Sequence, residues 1–258
     1  MAYPGLQDRV VVITGAARGQ GLCEALLLAQ SGAHVVATDV DREAPADLDV
    51  ERITYRSLDV ANEAEWLRLA DELRNAGRRV HGLVNNAGIT HRARLGSTAR
   101  ADWDRVLAVN VTGAMLGIQS LAPLMGQGAS IVNIGSAAGL TAHYTAAYTT
   151  SKWALRGLTH VAATEFGPRG IRANIVHPGF IETPMTANAP TAMRAAQLDL
   201  TPLERVGVAE EVAHIVAFLL SDAASYISGA EIPVDGAFAS SAGAKYMADR
   251  IAATGAVG

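Results

Sequence analysis

Tyr148 and Lys152, four residues apart, set the chemistry this chain can do. From Tyr144 to Pro168 the sequence runs without a proline, which predicts one long helix closed by Gly167-Pro168. Residues at i and i+4 share a helix face about one turn apart, so the phenol stands beside the ammonium. A phenol with a reference pKa of about 10 is a poor base near neutrality. A cation roughly 4 Å away, at an effective dielectric near 20, favours the phenolate by about 4 kcal/mol, or roughly three pKa units. The spacing therefore predicts that Tyr148 titrates near pH ~7, where proton transfer is most efficient. Alone, the pair favours an ordinary helix surface, since chance supplies that spacing often. Upstream, however, the strand pattern ASIVNIG ends at Ser136, where a hydroxyl can face the same point.

These groups need a frame, and the rest of the chain alternates strand and helix patterns. Residues 9–14 are a Val/Ile run that breaks into Gly15-Ala16-Ala17-Arg18-Gly19-Gln20-Gly21 and a helix to about Ser31. Glycines between a strand and a helix let backbone approach a pyrophosphate, whose charge the helix N-terminus favours. AHVVATD is a second strand ending at Asp39, 18 residues after Gly21 and close to the distance expected of a ribose-hydroxyl acceptor. ITYRSLDV is a third, ending near Asp59, after a short Pro-broken link. Asn62 and Glu65 form a capping-box pattern for a helix with Trp66, Leu69 and Leu73 on one face. VHGLVNNAG is a fourth strand running into a polar turn.

A single helix is expected over residues 100–125, its apolar stripe marked by Trp103, Val106, Leu107, Ala114 and Ile118. Asn110 falls on that stripe. A buried amide without a partner costs about 1–3 kcal/mol, so Asn110 either bonds backbone locally or serves a site. After the Tyr148 helix come the strand IRANIVHPG, a weakly periodic stretch over 180–202, a helix around Val212, Ile215, Val216 and Leu219, and the strand AEIPVDG. The weak stretch suggests a flexible loop or short helices that would carry substrate contacts. The alternation implies a doubly wound parallel α/β sheet of about seven strands, with helices on both faces, in a single domain over 1–258.

Tyr-x-x-x-Lys, the upstream serine and the Gly-x-x-x-Gly-x-Gly turn together resemble the short-chain dehydrogenase/reductase family over nearly the whole length. The resemblance implies a Rossmann-type fold and an NAD-dependent oxidoreductase. Asn110 in VNVTG matches the asparagine that holds a water behind the lysine. The implied catalytic set is Asn110, Ser136, Tyr148 and Lys152: the serine polarises the substrate oxygen, the tyrosine moves its proton, and the lysine lowers the tyrosine pKa and holds the ribose. Asp59 and Val60 would edge the adenine. Asn86, Ala87 and Gly88 would lie along the cofactor, and Pro178, Gly179, Ile181 and Thr183 on its nicotinamide side. VHPGFIETPMT and SYISGAEIPVDGAF are most similar to bacterial 3α/20β-hydroxysteroid and secondary-alcohol dehydrogenases, with 3-oxoacyl-carrier-protein reductases, which usually prefer NADP, as the alternative enzyme. A dinucleotide-sensing module without turnover is a third possibility, against which the complete proton-transfer set argues. The resemblance further implies a homotetramer that pairs the Asn110 and Tyr148 helices across a two-fold axis, an approach the small residues Ala147, Ser151 and Ala154 would permit.

Composition excludes other classes. The net charge of −4 offers no basic footprint for nucleic acid, and no Lys/Arg block marks a membrane patch. Cys23 is the only cysteine, so no internal disulfide can form, and its place in a helix pattern predicts a small buried hydrophobe. No Cys/His cluster suggests a metal. His143, Tyr144 and His177 are expected to be structural, Met185 and Met193 to line an adaptable pocket, and Ser151 to pack between helices. With no secretory pattern and no uninterrupted apolar run near 18 residues, a cytoplasmic enzyme acting on a small apolar alcohol or ketone is expected.

Overall fold

A computed structural model describes residues 3–241 and 243–254. The first half is built from β1 (Val10–Thr14), α1 (Gly19–Gln30), β2 (His34–Asp39), β3 (Ile53–Ser57), α2 (Glu63–Asn75) and β4 (Gly82–Asn85). Then follow α3 (Arg100–Leu107), α4 (Gly113–Leu121), β5 (Ser130–Ile134), α5 (Ala146–Phe166) and β6 (Arg172–Pro178). A short pair, β7 (Ile181–Glu182) and β8 (Gly207–Val208), brackets α6 (Pro184–Ala187) and α7 (Thr191–Leu200). The chain closes with α8 (Ala209–Leu220), β9 (Glu231–Val234), α9 (Phe238–Ser241) and α10 (Ala244–Ala252).

Seven parallel strands form one sheet in the order β3-β2-β1-β4-β5-β6-β9. Strand side chains alternate, so each strand feeds two cores. Val11 and Ile13 point into the layer shared with α1 and α8, where Leu28, Val216 and Leu219 lie. Val12 points to the other layer, with Trp66, Leu83, Leu121 and Ile131. This is why β1 reads as an unbroken apolar run rather than as an alternating one. The order reverses between β1 and β4, and the crevice beyond their carboxyl ends is where such sheets take ligands. The glycine turn leaves β1 there and the Asn86–Gly88 turn leaves β4.

Several expectations are corrected. β3 ends at Ser57, two residues short of Asp59, with the Leu58 amide adding a last bond to the Asp39 carbonyl (2.7 Å). Asn62 does cap α2, accepting from Ala64 N at 3.1 Å, but Glu65 reaches past it to the Asp59 amide (2.7 Å) instead of closing a capping box. The helix predicted over 100–125 does run from Arg100 to Leu124, but through a π-helical turn at Ala108–Thr112. The stretch 180–202 holds two short helices, one of the two expected forms.

Candidate active site

On the cofactor side the chain folds back on itself without space for side chains. Gly15 has φ +66°, and a Cβ there would come within 2.8 Å of the Ala87 backbone. A Cβ at Gly21 would lie 2.3 Å from the Gly15 carbonyl oxygen. Asn86 locks the two turns together: its Nδ2 donates to the Thr14 and Gly15 carbonyls, both at 2.9 Å. Thr14, which the sequence did not single out, accepts on its hydroxyl from the amides of Asn86 (3.1 Å) and Ala87 (3.0 Å). A threonine ending a Val/Ile run reads simply as the last strand residue.

Asp39 is nearly buried at the end of β2, its carboxylate accepting from Ala17 N (3.0 Å) and Val40 N (2.8 Å). Arg18 pairs with Asp41 at 3.4 Å. The cap residue of α1, Arg18, makes no side-chain cap bond among the described residues, and the first turn holds no acid. Its opening amides and a carboxylate beside them fit a pyrophosphate followed by a ribose. Asp59 and Val60 leave β3 one residue beyond the Asp39 contact; Asp59 accepts from Ala61 N (2.9 Å) and the Val60 carbonyl from Trp66 Nε1 (2.9 Å). Gln20 opens α1 with a buried amide nitrogen. On the far wall, a Cβ at Gly19 would meet Thr183 at 3.7 Å, so the segment Pro178-Gly179-Phe180-Ile181-Glu182-Thr183 returns to the glycine turn.

The proton-transfer set gathers where β5 ends and α5 begins. Ser136 Oγ accepts from Ala138 N (3.1 Å), fixing the turn, and is hydrogen-bonded to the half-buried Tyr148. Lys152, 4% exposed, donates from Nζ to the Ile134 carbonyl at 2.7 Å and stands 5.7 Å from the Tyr148 ring centre. Asn110 lies in the π-helical turn, an irregularity that often marks functional helices. Its Oδ1 accepts from Ile89 N (2.8 Å), while Nδ2 donates to Ile89 O (3.0 Å) and to Ser151 Oγ (2.9 Å). A Cβ on Gly88 would sit 3.4 Å from Asn110 Oδ1 and 3.5 Å from Lys152 Nζ, so the glycine leaves both atoms facing one small space.

The expected pKa of about 7 for Tyr148 is not met. Burial raises the phenol above its ordinary value, with the Ser136 hydrogen bond opposing the rise. The lysine does not bring it down because its ammonium is turned to the Ile134 carbonyl, and burial brings Lys152 itself down to about 8.

A family model described as "Enoyl-(Acyl carrier protein) reductase" matches residues 15–238, the glycine turn and all four site positions included. The chain belongs to the short-chain dehydrogenase/reductase family. A 3-alpha-(or 20-beta)-hydroxysteroid dehydrogenase of Mycobacterium tuberculosis is 39% identical over 238 residues, covering 90% of this chain and 89% of the relative. A cyclopentanol dehydrogenase of Comamonas testosteroni is 38% identical over 244 residues, covering 90% and 98%. The solved structure of a short-chain dehydrogenase/reductase (glucose/ribitol dehydrogenase) from Brucella melitensis superposes with a TM-score of 0.85 at 32% identity, covering 92% and 99%.

Within this short-chain dehydrogenase/reductase, some residues set aside by the sequence turn out to be structural partners of the site. Ser151 is wholly buried and links the two site helices, receiving the Asn110 amide and donating to the Tyr148 carbonyl at 2.7 Å. Asn85 ends β4 and donates to Asn133 Oδ1 (2.8 Å), whose Nδ2 donates to Thr159 (2.8 Å). That buried chain ties β4 and β5 to α5. Cys23 is half-buried, its thiol pushed up to about 11 by burial and the nearby Glu210, which makes it inert as a nucleophile. Arg94 stacks on Tyr144 (4.4 Å) at the rim, where Met185 is exposed.

Proposed function

We propose that this chain interconverts an apolar secondary alcohol and its ketone with NAD(H). The observation that carries the proposal is the convergence of Ser136, Tyr148 and Lys152 on the end of β5, with Asn110 and Gly88 closing the space behind. NAD(H), when bound, supplies or accepts the hydride. Gly15, Arg18, Gly19, Gln20, Gly21, Asp39, Asp59, Val60, Asn86, Ala87, Gly88, Pro178, Gly179, Ile181 and Thr183 would hold it, together with Tyr148 and Lys152. Ser136 orients the substrate oxygen by donating a hydrogen bond. Tyr148, neutral at neutral pH, gives its proton to that oxygen as a ketone is reduced, and the phenolate accepts it back when an alcohol is oxidised. Lys152 steadies the ribose and Asn110 anchors the Ile89 loop behind it.

NAD rather than NADP follows from the placement of Asp39, since a 2′-phosphate would meet a like charge. A bulky, apolar ring-bearing substrate is favoured by the hydroxysteroid and cyclic-alcohol relatives. The reading includes a homotetramer and a cytoplasmic setting. The family model's own description keeps carrier-bound acyl substrates as the second reading. Initial rates with cyclic ketones, ketosteroids and a 3-oxoacyl thioester, each with NADH and NADPH, test both: turnover confined to the thioester and NADPH would replace the first with the second, and no oxidoreduction on any of them would leave a binding module.

A further inference from the structure

One wholly buried titratable side chain next to the site has no part in the reaction outlined above. His177 is 0% exposed, one residue from the end of β6, directly behind the turn that carries Ser136. Its Nδ1 lies 2.9 Å from the Ser136 carbonyl oxygen and 3.4 Å from the Ser136 amide. Its Nε2 lies 3.4 Å from a carboxylate oxygen of Glu231 on β9. Two glycines clear the space for the ring: a Cβ at Gly135 would come within 2.6 Å of Nδ1, and one at Gly139 within 3.4 Å of Cε1. Glu231 is itself held from α5, by Arg156 Nε at 2.7 Å and His160 Nε2 at 3.1 Å, and Arg156 also donates to the Gly139 carbonyl at 3.2 Å. His177 is thus bonded to the serine backbone on one side and faces, on the other, a carboxylate held by the helix that bears Tyr148 and Lys152.

The hydrogen positions follow from the partners. A contact of 2.9 Å to a carbonyl requires a proton on Nδ1, which excludes the Ser136 amide as a donor to that nitrogen. In the neutral ring Nε2 then carries a lone pair toward the carboxylate, and Nε2 indeed makes no hydrogen bond among the described residues. The contact that counts is the one to the Ser136 carbonyl; the Glu231 carboxylate on the other side of the ring is engaged by Arg156 and His160.

We propose that His177 is a positioning residue: through Nδ1 it fixes the main chain of Ser136, and so the direction in which the serine hydroxyl faces the substrate oxygen. The proposal rests on the assignment of Ser136 to the reaction. Misplacing a polarising group by about 1 Å can cost on the order of a hundredfold in rate.

Three substitutions separate positioning from packing. The amide nitrogen of an asparagine falls near the place of Nδ1, that of a glutamine near Nε2, and leucine supplies volume with no donor. His177→Asn is expected to keep at least a third of kcat. His177→Gln and His177→Leu are expected to lose about tenfold or more in kcat, with KM for the coenzyme within about twofold. A purely structural role would lower the melting temperature without ordering the variants by donor position. Equal kcat for Asn and Gln, or a loss that appears in coenzyme KM and not in kcat, overturns the proposal. If the leucine variant does not fold, the Asn–Gln contrast decides alone. Ser136→Ala is run beside them. If it keeps its rate, the assignment of the serine fails; if it is inactive while the His177 variants agree, only the positioning role fails.

Discussion

At the scale of residues, the site is a set of opposed electrostatic demands. Tyr148 must be neutral to deliver a proton and anionic to receive one, and burial holds it on the neutral side. Ketone reduction should therefore run well near neutrality and decline as pH rises through the Tyr148 pKa, while alcohol oxidation should rise with alkalinity over the same range. The loss of charge on Lys152 above about pH 8 adds to the decline in reduction. Profiles of kcat in both directions check this, and an oxidation rate greatest at pH ~6 would contradict it. Tyr148→Phe keeps the packing and removes the proton, so turnover should fall by about 10³ or more while NADH binding, followed by fluorescence titration, changes only a few-fold. Asp39 is the second test at this scale. Charge-assisted bonds to a ribose are worth about 1.5–3 kcal/mol, so wild type should favour NAD over NADP by about a hundredfold in kcat/KM. Asp39→Ala should erase most of that ratio. It should also weaken NAD itself, because the carboxylate holds the Ala17 amide of the glycine turn. A ratio that does not move would place the ribose elsewhere.

At the scale of elements, what could be read from the sequence was what local pattern dictates. β1, β5 and β6 carry Val/Ile pairs bounded by turn residues, and α5 is bounded by its proline, so both their existence and the spacing of Tyr148 and Lys152 were legible. The orientation of the lysine head was not, because the Ile134 carbonyl that captures it belongs to a strand 18 residues away. Asn110 stood out on an apolar stripe, yet the π-helical turn that aims it and the Ser151 hydroxyl that receives it arise from packing between α4 and α5. Residues 180–202 gave no periodicity because neither α6 nor α7 buries a full face. α1 carries a conflict of another kind. Glu24 is wholly buried where α1 packs along α8, and neither carboxyl oxygen has a hydrogen-bond partner among the described residues. Burial pushes its pKa up to about 8. The folded state therefore binds a proton that the unfolded chain releases near pH ~4.5, and stability must fall as pH rises from there to about 8, then level off. Glu24→Gln should flatten that decline and gain on the order of a few kcal/mol at pH ~8 with little change at pH ~5. Urea midpoints across that range measure it, and a parallel decline in both proteins would clear Glu24 of responsibility.

At the scale of the whole molecule, the sheet is covered at both faces, but apolar side chains remain exposed on helices, α5 and α10 among them. Of the small residues expected to permit subunit pairing, Ala147 and Ser151 are fully buried within the chain, Ser151 bonded to Asn110, while Ala154 is exposed. The outward face of α5 also carries Trp153, Gly157 and Val161, four residues apart and so in one stripe, with Trp153 46% and Val161 58% exposed. A Cβ at Gly157 would meet nothing within 4 Å among the described residues, so the stripe has a flat centre onto which a second helix can settle. Met115 on α4 stands partly exposed as well. Paired α4–α5 faces across a two-fold axis would bury this surface and brace the helix that carries Tyr148 and Lys152. Wild type is expected to scatter light as a tetramer at micromolar concentration, and Val161→Glu, which sets a charge against its own symmetry mate, should reduce it to smaller species. Burying an unpaired carboxylate costs several kcal/mol, ample to shift a micromolar assembly. Because α5 holds the proton-transfer pair, the dissociated variant should also lose kcat, and lose it more on dilution. A wild-type monomer would refute the assembly, and a Val161→Glu tetramer would move the interface to another face.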